Sequence, residues 1–381
     1  MDYLRTEQSV DFRLASLLSL PSLSGKQLEI VVALLEEANL DKLSHLLNHH
    51  RTYSCAYSNI NKHNLFPSDE PLQMCLKRRF DKCAYQNTEQ LGICSELFTL
   101  FKKAGVEVKI LKGIPLGFSL YSNIALRHSN DLDLVIKPEE LTSVDNILKS
   151  KGFTCEQYDR LSNKQKRYYF SAHKDITYRS QSNMLIELHV RLTSHDIELT
   201  DEYFLSLFDY SVSKKDKQSL ELLYLCWHGC HTLFHRLKWL IDIKLYLDSL
   251  DVEALERTIL IAKKYGFMRI LTISWVLCHH IYGTSMPAKI ESFYENDVLS
   301  RVIIKKCQKI LNEPLGVDSL KIRLAYVFFQ PFIYQHTIEK IDSFMHKFKP
   351  TINDYDMLPQ LPNVLCYMLR PFLFAIRFLR Y

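Results

Sequence analysis

The sequence predicts an α+β fold in which a small mixed sheet is flanked by N-terminal and C-terminal helical regions. Three observations carry this. Apolar residues recur at helical spacing from about residue 8 to 50 and again from Leu72 to Gly105. Short runs of alternating apolar and polar residues cluster between Val106 and Val190, and helical spacing returns beyond about residue 200. The expected units are an N-terminal helical region over 1–91, an α/β core over 92–200 and a C-terminal helical domain over 201–381.

Taken in order, the first helical stretch shows its apolar face through Leu28, Val31, Val32, Leu34 and Leu35, then Leu40, Leu43 and Leu46. After the turn-prone Asn64 to Pro71, a second stretch runs through Leu91, Cys94, Leu97, Phe98 and Phe101 to a stop at Gly105. Val106 to Leu111 reads as a strand, Lys112-Gly113 as a tight turn, Ile114 to Tyr121 as a short helix, and Asp131 to Ile136 as the next strand. Pro138-Glu139-Glu140 opens a helix with proline early and acids in its first turn, ending at Gly152. Further strands are expected at Phe153 to Gln157, Lys174 to Tyr178 and Met184 to Val190, with helices against one side of the sheet. Helix is then expected from Leu220 to Leu250, Val252 to Tyr265, Arg269 to Tyr282 and onward.

At 381 residues the chain exceeds a typical domain of roughly 100 to 200 residues, so more than one packed unit is expected. Hydrophobic residues are 47% and glycine plus proline are sparse, which excludes a disordered or fibrous chain. The net charge of +5 permits anionic substrates without requiring nucleic acid, and no basic stripe interleaved with stacking aromatics tracks a strand. No stable nucleic-acid partner is therefore expected. No uncharged apolar run approaches the roughly 20 residues that span a bilayer. The ten cysteines lack zinc-ribbon spacing and the N-terminal MDYLRTEQSVDF lacks the regions of a signal peptide, so reduced thiols and a cytoplasmic location are expected.

The most informative motif is Asp131-Leu132-Asp133-Leu134-Val135-Ile136. In a strand Asp131, Asp133 and Val135 share one face, while Leu132, Leu134 and Ile136 share the other and can be buried. Two carboxylates side by side repel unless a cation lies between them, and oxygen ligands of this kind suit Mg²⁺ or Mn²⁺. An exposed strand face tolerating charge is the plainer alternative. In Leu185-Ile186-Glu187-Leu188-His189, Glu187 and His189 fall on one face and the aliphatic residues on the other, so Glu187 can supply a third carboxylate, as two-metal phosphoryl chemistry requires. Periodicity makes these pieces compatible without bringing them together. His189, with an imidazole that titrates near neutrality, is a candidate proton acceptor.

The run Leu111-Lys112-Gly113, Leu120-Tyr121, Arg127, Asp131-Leu132-Asp133-Leu134-Val135 and Ile186-Glu187-Leu188-His189 resembles the uncharacterised bacterial nucleotidyltransferase family. That family is a branch of the DNA polymerase β-like nucleotidyltransferase superfamily. The similarity continues into Leu222 to Gly229 and Arg236 to Asp242, and faintly to Tyr367 to Pro371. The resemblance implies transfer of a nucleoside monophosphate from a nucleoside triphosphate, ATP among them, to a small-molecule, sugar or protein acceptor, with pyrophosphate leaving. Asp131 and Asp133 would bind the metal carrying the triphosphate, and Glu187 a second metal near the acceptor.

One departure bears on activity. The superfamily's Gly-Ser turn is here Lys112-Gly113, where Lys112 can supply a cation and Gly113 an open amide for phosphate, or Lys112 simply caps a turn. Arg127 is a further phosphate candidate, with a salt bridge to Asp131 or Glu139 as its alternative. His228, His231, His235, Lys238 and Asp242 are spaced at threes and fours, so on one helix they form a polar stripe. His228 and Lys238 are the candidates from it to meet phosphate or acceptor. A buried polar network is the plainer reading, and a zinc site, making the protein a hydrolase, is a third. The tail 361–381 carries Arg370, Arg377 and Arg380 among aromatics, a candidate for peripheral membrane contact or for packing on the domain. A protein keeping the fold for nucleotide binding or regulation without catalysis stands as the alternative to the enzyme.

Overall fold

The computed structural model describes residues 8–313 and 319–351, together with 354, 365, 368–370 and 372. Most of the tail 361–381 lies outside the described residues, and the membrane expectation with it.

Local signals set the helix ends. Ser9 Oγ accepts from the amide of Phe12 to start Val10–Leu18, and Ser24 with Gln27 forms a capping box at Gly25–Leu35. Helices Leu40–His49 and Tyr53–Lys62 follow, then the long helix Pro71–Lys103, with proline where its missing N–H costs nothing. Gly105 ends that helix at φ 71° while the amide of Val106 reaches back to the carbonyl of Phe101 at 2.9 Å.

Four strands then form one mixed sheet: β1 (Val108–Leu111), β2 (Asp131–Ile136), β3 (Asp175–Arg179) and β4 (Leu185–His189), in the order β1-β2-β4-β3. β2 runs parallel to β4, and the two outer pairings are antiparallel. Leu132, Leu134, Ile136, Ile176, Ile186 and Leu188 cover one face and pack on Leu97 and Phe101 of the long helix and on Val144 and Leu148 of Leu141–Ser150. The other face is covered as well. Val135 and Leu111 belong to the second and larger apolar cluster, which joins Phe12, Leu43 and Leu76 from the N-terminal helices to Leu223, Phe234 and Trp275 from the C-terminal ones. The polar side of the sheet therefore looks into a cleft walled by both helical regions.

Two expectations are corrected. Phe153–Gln157 is not a strand: only Thr154 bridges Arg179, and Glu156–Asp159 is a short helix. Lys149 binds Asp145 at 2.9 Å and Asp159 at 2.8 Å, which draws the chain away from the sheet after that single pair. Likewise, Leu220 to Leu250 is not one helix. Lys214–His231 and Leu237–Ser249 are separated by a turn in which Leu233 and Phe234 both have positive φ. The cause is Gly229. The Phe234 amide donates to its carbonyl at 2.8 Å, and the Phe234 ring occupies the place of the missing side chain, where a Cβ would stand 2.2 Å from Cε1. Among the described residues no helix is long and apolar enough to cross a membrane.

Candidate active site

The sheet register puts the acids together. Asp133 is the Cα partner of Glu187, and Asp175 on β3 is the partner of His189 on β4. Because facing residues in register point the same way, Asp131, Asp133, Glu187, His189 and Asp175 share one face. Asp175 was not singled out in the sequence, although its alternation with Thr177 in β3 is the same signal that marked Glu187. Lys174 precedes it and places Nζ 2.7 Å from Asp175 and 3.5 Å from Glu187.

His189 is fully buried, and its Nε2 lies 2.9 Å from Asp133 Oδ1 and 3.6 Å from Glu187 Oε2. Burial pushes the imidazole below its ordinary pKa and Lys174 adds to this, so the ring is neutral at physiological pH. An ionised carboxylate only accepts, so Nε2–H must be the donor. His189 thus fixes the carboxyl of Asp133 from beneath. Its Nδ1 is buried without a hydrogen-bond partner, 3.8 Å from Asp175.

The two central acids titrate in opposite directions. Burial alone would raise Asp133, but Lys112, the His189 bond and Lys174 outweigh it and hold the carboxyl well below the usual range. Glu187 is pushed up to about 7, first by burial and then by Asp175, Asp133 and Asp131, which Lys174 only partly offsets. A carboxyl crowded in this way gains from a divalent cation. Asp133, Glu187 and His189 offer ligand atoms all within 4.8 Å of one another, and Asp131 lines the same cleft. With Nε2–H of His189 given to Asp133, the carboxylates of Asp131, Asp133 and Glu187 are the oxygen ligands, and donors of that kind suit Mg²⁺ or Mn²⁺.

The cleft is small, about 250 Å³, and its remaining walls are basic. Lys112 has φ 49° and Gly113 φ 38°, and together they begin the helix Gly113–Tyr121, whose amides at Gly113 and Ile114 precede Pro115 and lie where an anion can meet them. A Cβ on Gly113 would come within 3.2 Å of Ser129 Oγ, so glycine suits both the turn and the close approach. The Lys112 ammonium stands 5.2 Å from the centroid of the Tyr224 ring and is held in its charged form, the nearby Tyr224 and Asp133 outweighing burial.

Arg127 makes neither of the salt bridges weighed for it. Its Nε and Nη2 bind the two oxygens of Asp242 at 2.9 and 2.8 Å, and Nη1 donates to the carbonyl of Gly113 at 3.3 Å. Tyr121 OH donates to the same Asp242 at 2.8 Å. The guanidinium lines the cleft, but its charge is matched, and it ties the glycine turn to the helix Leu237–Ser249.

The break at 232–236 disperses the polar stripe. His228 lines the cleft, edge-on to Trp239, with burial and the Lys112 and Lys174 charges keeping it neutral. Lys238 also lines it and donates to the carbonyl of His128 at 3.2 Å. Burial and the neighbouring Arg127 lower this ammonium to about 8. His231 faces away to stack on Trp227, and His235 bonds with Tyr326 at 2.5 Å. Among the described residues, the acidic cluster on the sheet is the group whose ligand atoms could hold a metal ion. Arg51, which nothing in the sequence marked, completes the wall from the junction of two N-terminal helices.

A family model described as an uncharacterised nucleotidyltransferase matches residues 36–283, a span that includes every cleft residue named above. No curated protein and no solved structure matches the chain.

Proposed function

Since the chain belongs to the uncharacterised nucleotidyltransferase family, we propose that it transfers a nucleoside monophosphate from an NTP, ATP among them, to a small-molecule, sugar or protein hydroxyl. The carrying observation is the pairing of Asp133 with Glu187 across two parallel strands, at the floor of a cleft with basic walls.

Asp131, Asp133 and Glu187 would hold Mg²⁺ or Mn²⁺, which supplies Lewis-acid stabilisation of the charge on the transferring phosphorus and leaving oxygens. His189 keeps Asp133 in one orientation. Lys112 and the amides of Gly113 and Ile114 would meet the phosphates, and Lys238 adds a further cation. The acceptor oxygen attacks the α-phosphorus, and the bond to the bridging oxygen of the β-phosphate breaks. Pyrophosphate leaves, and the acceptor proton passes to a carboxylate or to water. Catalysis in such a site is almost entirely placement and charge stabilisation, so no covalent enzyme intermediate is needed. The reading places the protein in the cytoplasm, where NTPs are abundant and thiols stay reduced.

A second reading, a nucleotide-binding or regulatory protein without transfer, draws support from Lys174, whose ammonium already sits among Asp175 and Glu187. Incubation with each α-phosphate-labelled NTP, Mg²⁺ or Mn²⁺ and a cell extract separates the two. Label transferred by the wild type and not by Asp133→Asn supports the enzyme; NTP binding without transfer supports the second reading.

A further inference from the structure

The charges in the cleft are not evenly matched from one end to the other. At the β3 edge Lys174 is neutralised by Asp175 and Glu187, and at the centre Arg127 is neutralised by Asp242. At the opposite end, with Asp242 already taken by Arg127, Lys238 and Arg51 face Asp131, and neither makes an ion pair within 4.0 Å among the described residues. Among the described residues the Lys238 ammonium donates to the backbone carbonyl of His128 alone. This end of the cleft carries more positive charge than its own acids can match.

The backbone of Arg51 points the same way. It lies between Leu40–His49 and Tyr53–Lys62 at φ 56°, with its own amide donating to Asn48 and that of Thr52 to Leu47 at 3.0 Å. Helix ends closed in this way favour glycine at the left-handed position, because a Cβ crowds the following carbonyl. Arginine here gives the helix end nothing that glycine would not provide better. What it adds is a guanidinium on a half-buried stem, directed into the cleft beside Asp131. A planar fork of donors matches phosphate oxygens two at a time.

We propose that Arg51, with Lys238, receives the β- and γ-phosphates that leave as pyrophosphate, so that the N-terminal helical region completes the catalytic unit. The proposal rests on the nucleotidyltransferase reading. It also sets the direction of the substrate: the phosphate tail lies toward Arg51, and the acceptor enters from the Lys174 edge. Arg51 is then a phosphate-binding residue contributed from outside the α/β core.

The test is calorimetric titration of the full chain with inorganic tripolyphosphate and Mg²⁺, alongside thermal melting. Arg51→Gly should weaken binding by about tenfold or more, in line with loss of a charge-assisted contact, while the melting temperature holds or rises. Arg51→Lys should fall between the wild type and Arg51→Met, since it keeps the charge but loses the two-pronged geometry, whereas Arg51→Met should match Arg51→Gly. Lys238→Met should weaken binding in the same sense. Wild-type affinity in Arg51→Gly, or equal loss in Arg51→Lys and Arg51→Met, overturns the proposal. Labelled transfer separates this failure from that of the reading beneath it. Transfer by Arg51→Gly with an unchanged KM for NTP sinks the role of Arg51 alone; a wild type that neither transfers nor binds tripolyphosphate sinks both.

Discussion

The floor and the walls of the cleft are built by different means. The floor is a sheet, so one register places Asp133 beside Glu187 and His189 beside Asp175, and His189 and Lys174 hold the carboxylates of Asp133, Asp175 and Glu187. The walls are assembled from a helix junction at Arg51, a glycine turn at Lys112-Gly113 and two helices separated by the Phe234 turn. An error in the floor would move all the acids together, whereas each wall residue depends on a separate long-range contact. Substitutions in the floor should therefore affect chemistry at constant fold, and substitutions in the walls should affect fold or affinity.

The largest effect expected is in the floor. Asp133→Asn keeps the shape and a carbonyl to accept from His189, but removes the charge on which the proposed cation binding depends. Transfer should fall by about 10³-fold or more, roughly 4 kcal/mol of transition-state stabilisation, with an unchanged circular dichroism spectrum. Turnover near that of the wild type would remove Asp133 from the metal site.

Next is the strut of the wall. Arg127 and Asp242 are both nearly buried, at 5% and 2% side-chain exposure, so removing one strands the other. Arg127→Ala should cost about 3–5 kcal/mol in urea unfolding. The double variant Arg127→Met with Asp242→Leu should recover much of that loss, because no unpaired charge remains. Equal destabilisation in single and double variants would mean that packing, not charge, holds the strut.

These contrasts also explain what could be read in advance. The α+β order, the β2 and β4 faces and the stop at Gly105 follow from periods and caps that a few adjacent residues determine. Asp175 carries the same signal, but one acid at the start of a short strand is too common to stand out. The break at 232–236 has no periodic signature: apolar spacing continues through Phe234, and the ring's descent onto Gly229 ends the helix. Asp242 as the partner of Arg127 lies 115 positions away, and Arg51 reaches the cleft only because α-helices far apart in sequence share one core. Neither contact leaves a local trace.

Gly229 offers a smaller test of the wall. Gly229→Ala puts a methyl into the Phe234 ring and should cost about 1–3 kcal/mol by overpacking, read as a lower urea midpoint. If the turn relaxes and frees the ring, His228 and Lys238 should shift against the floor, and tripolyphosphate affinity should fall with stability. Stability lost at unchanged affinity would show that the turn and the cleft are independent.

The smallest effect concerns pH and distinguishes wall from floor directly. Lys238 is lowered to about 8 from 10.5 by burial and Arg127, with Asp131 and Asp242 opposing and Arg51 adding to the shift. For a cation whose folded pKa lies below its unfolded value, folding is penalised while the group is charged in both states. That penalty is complete below pH 8 and fades as pH rises toward 10.5, so this group makes the free protein more stable across that window. Anion binding runs the other way, since the ammonium is progressively lost above pH 8. Wild-type affinity for tripolyphosphate should decline several-fold, about one charge's worth, between pH 7 and 9, while Lys238→Met should be weaker throughout and flatter over the same range. A decline of equal steepness in Lys238→Met would transfer the titration to another group and leave Lys238 as a packing residue of the wall.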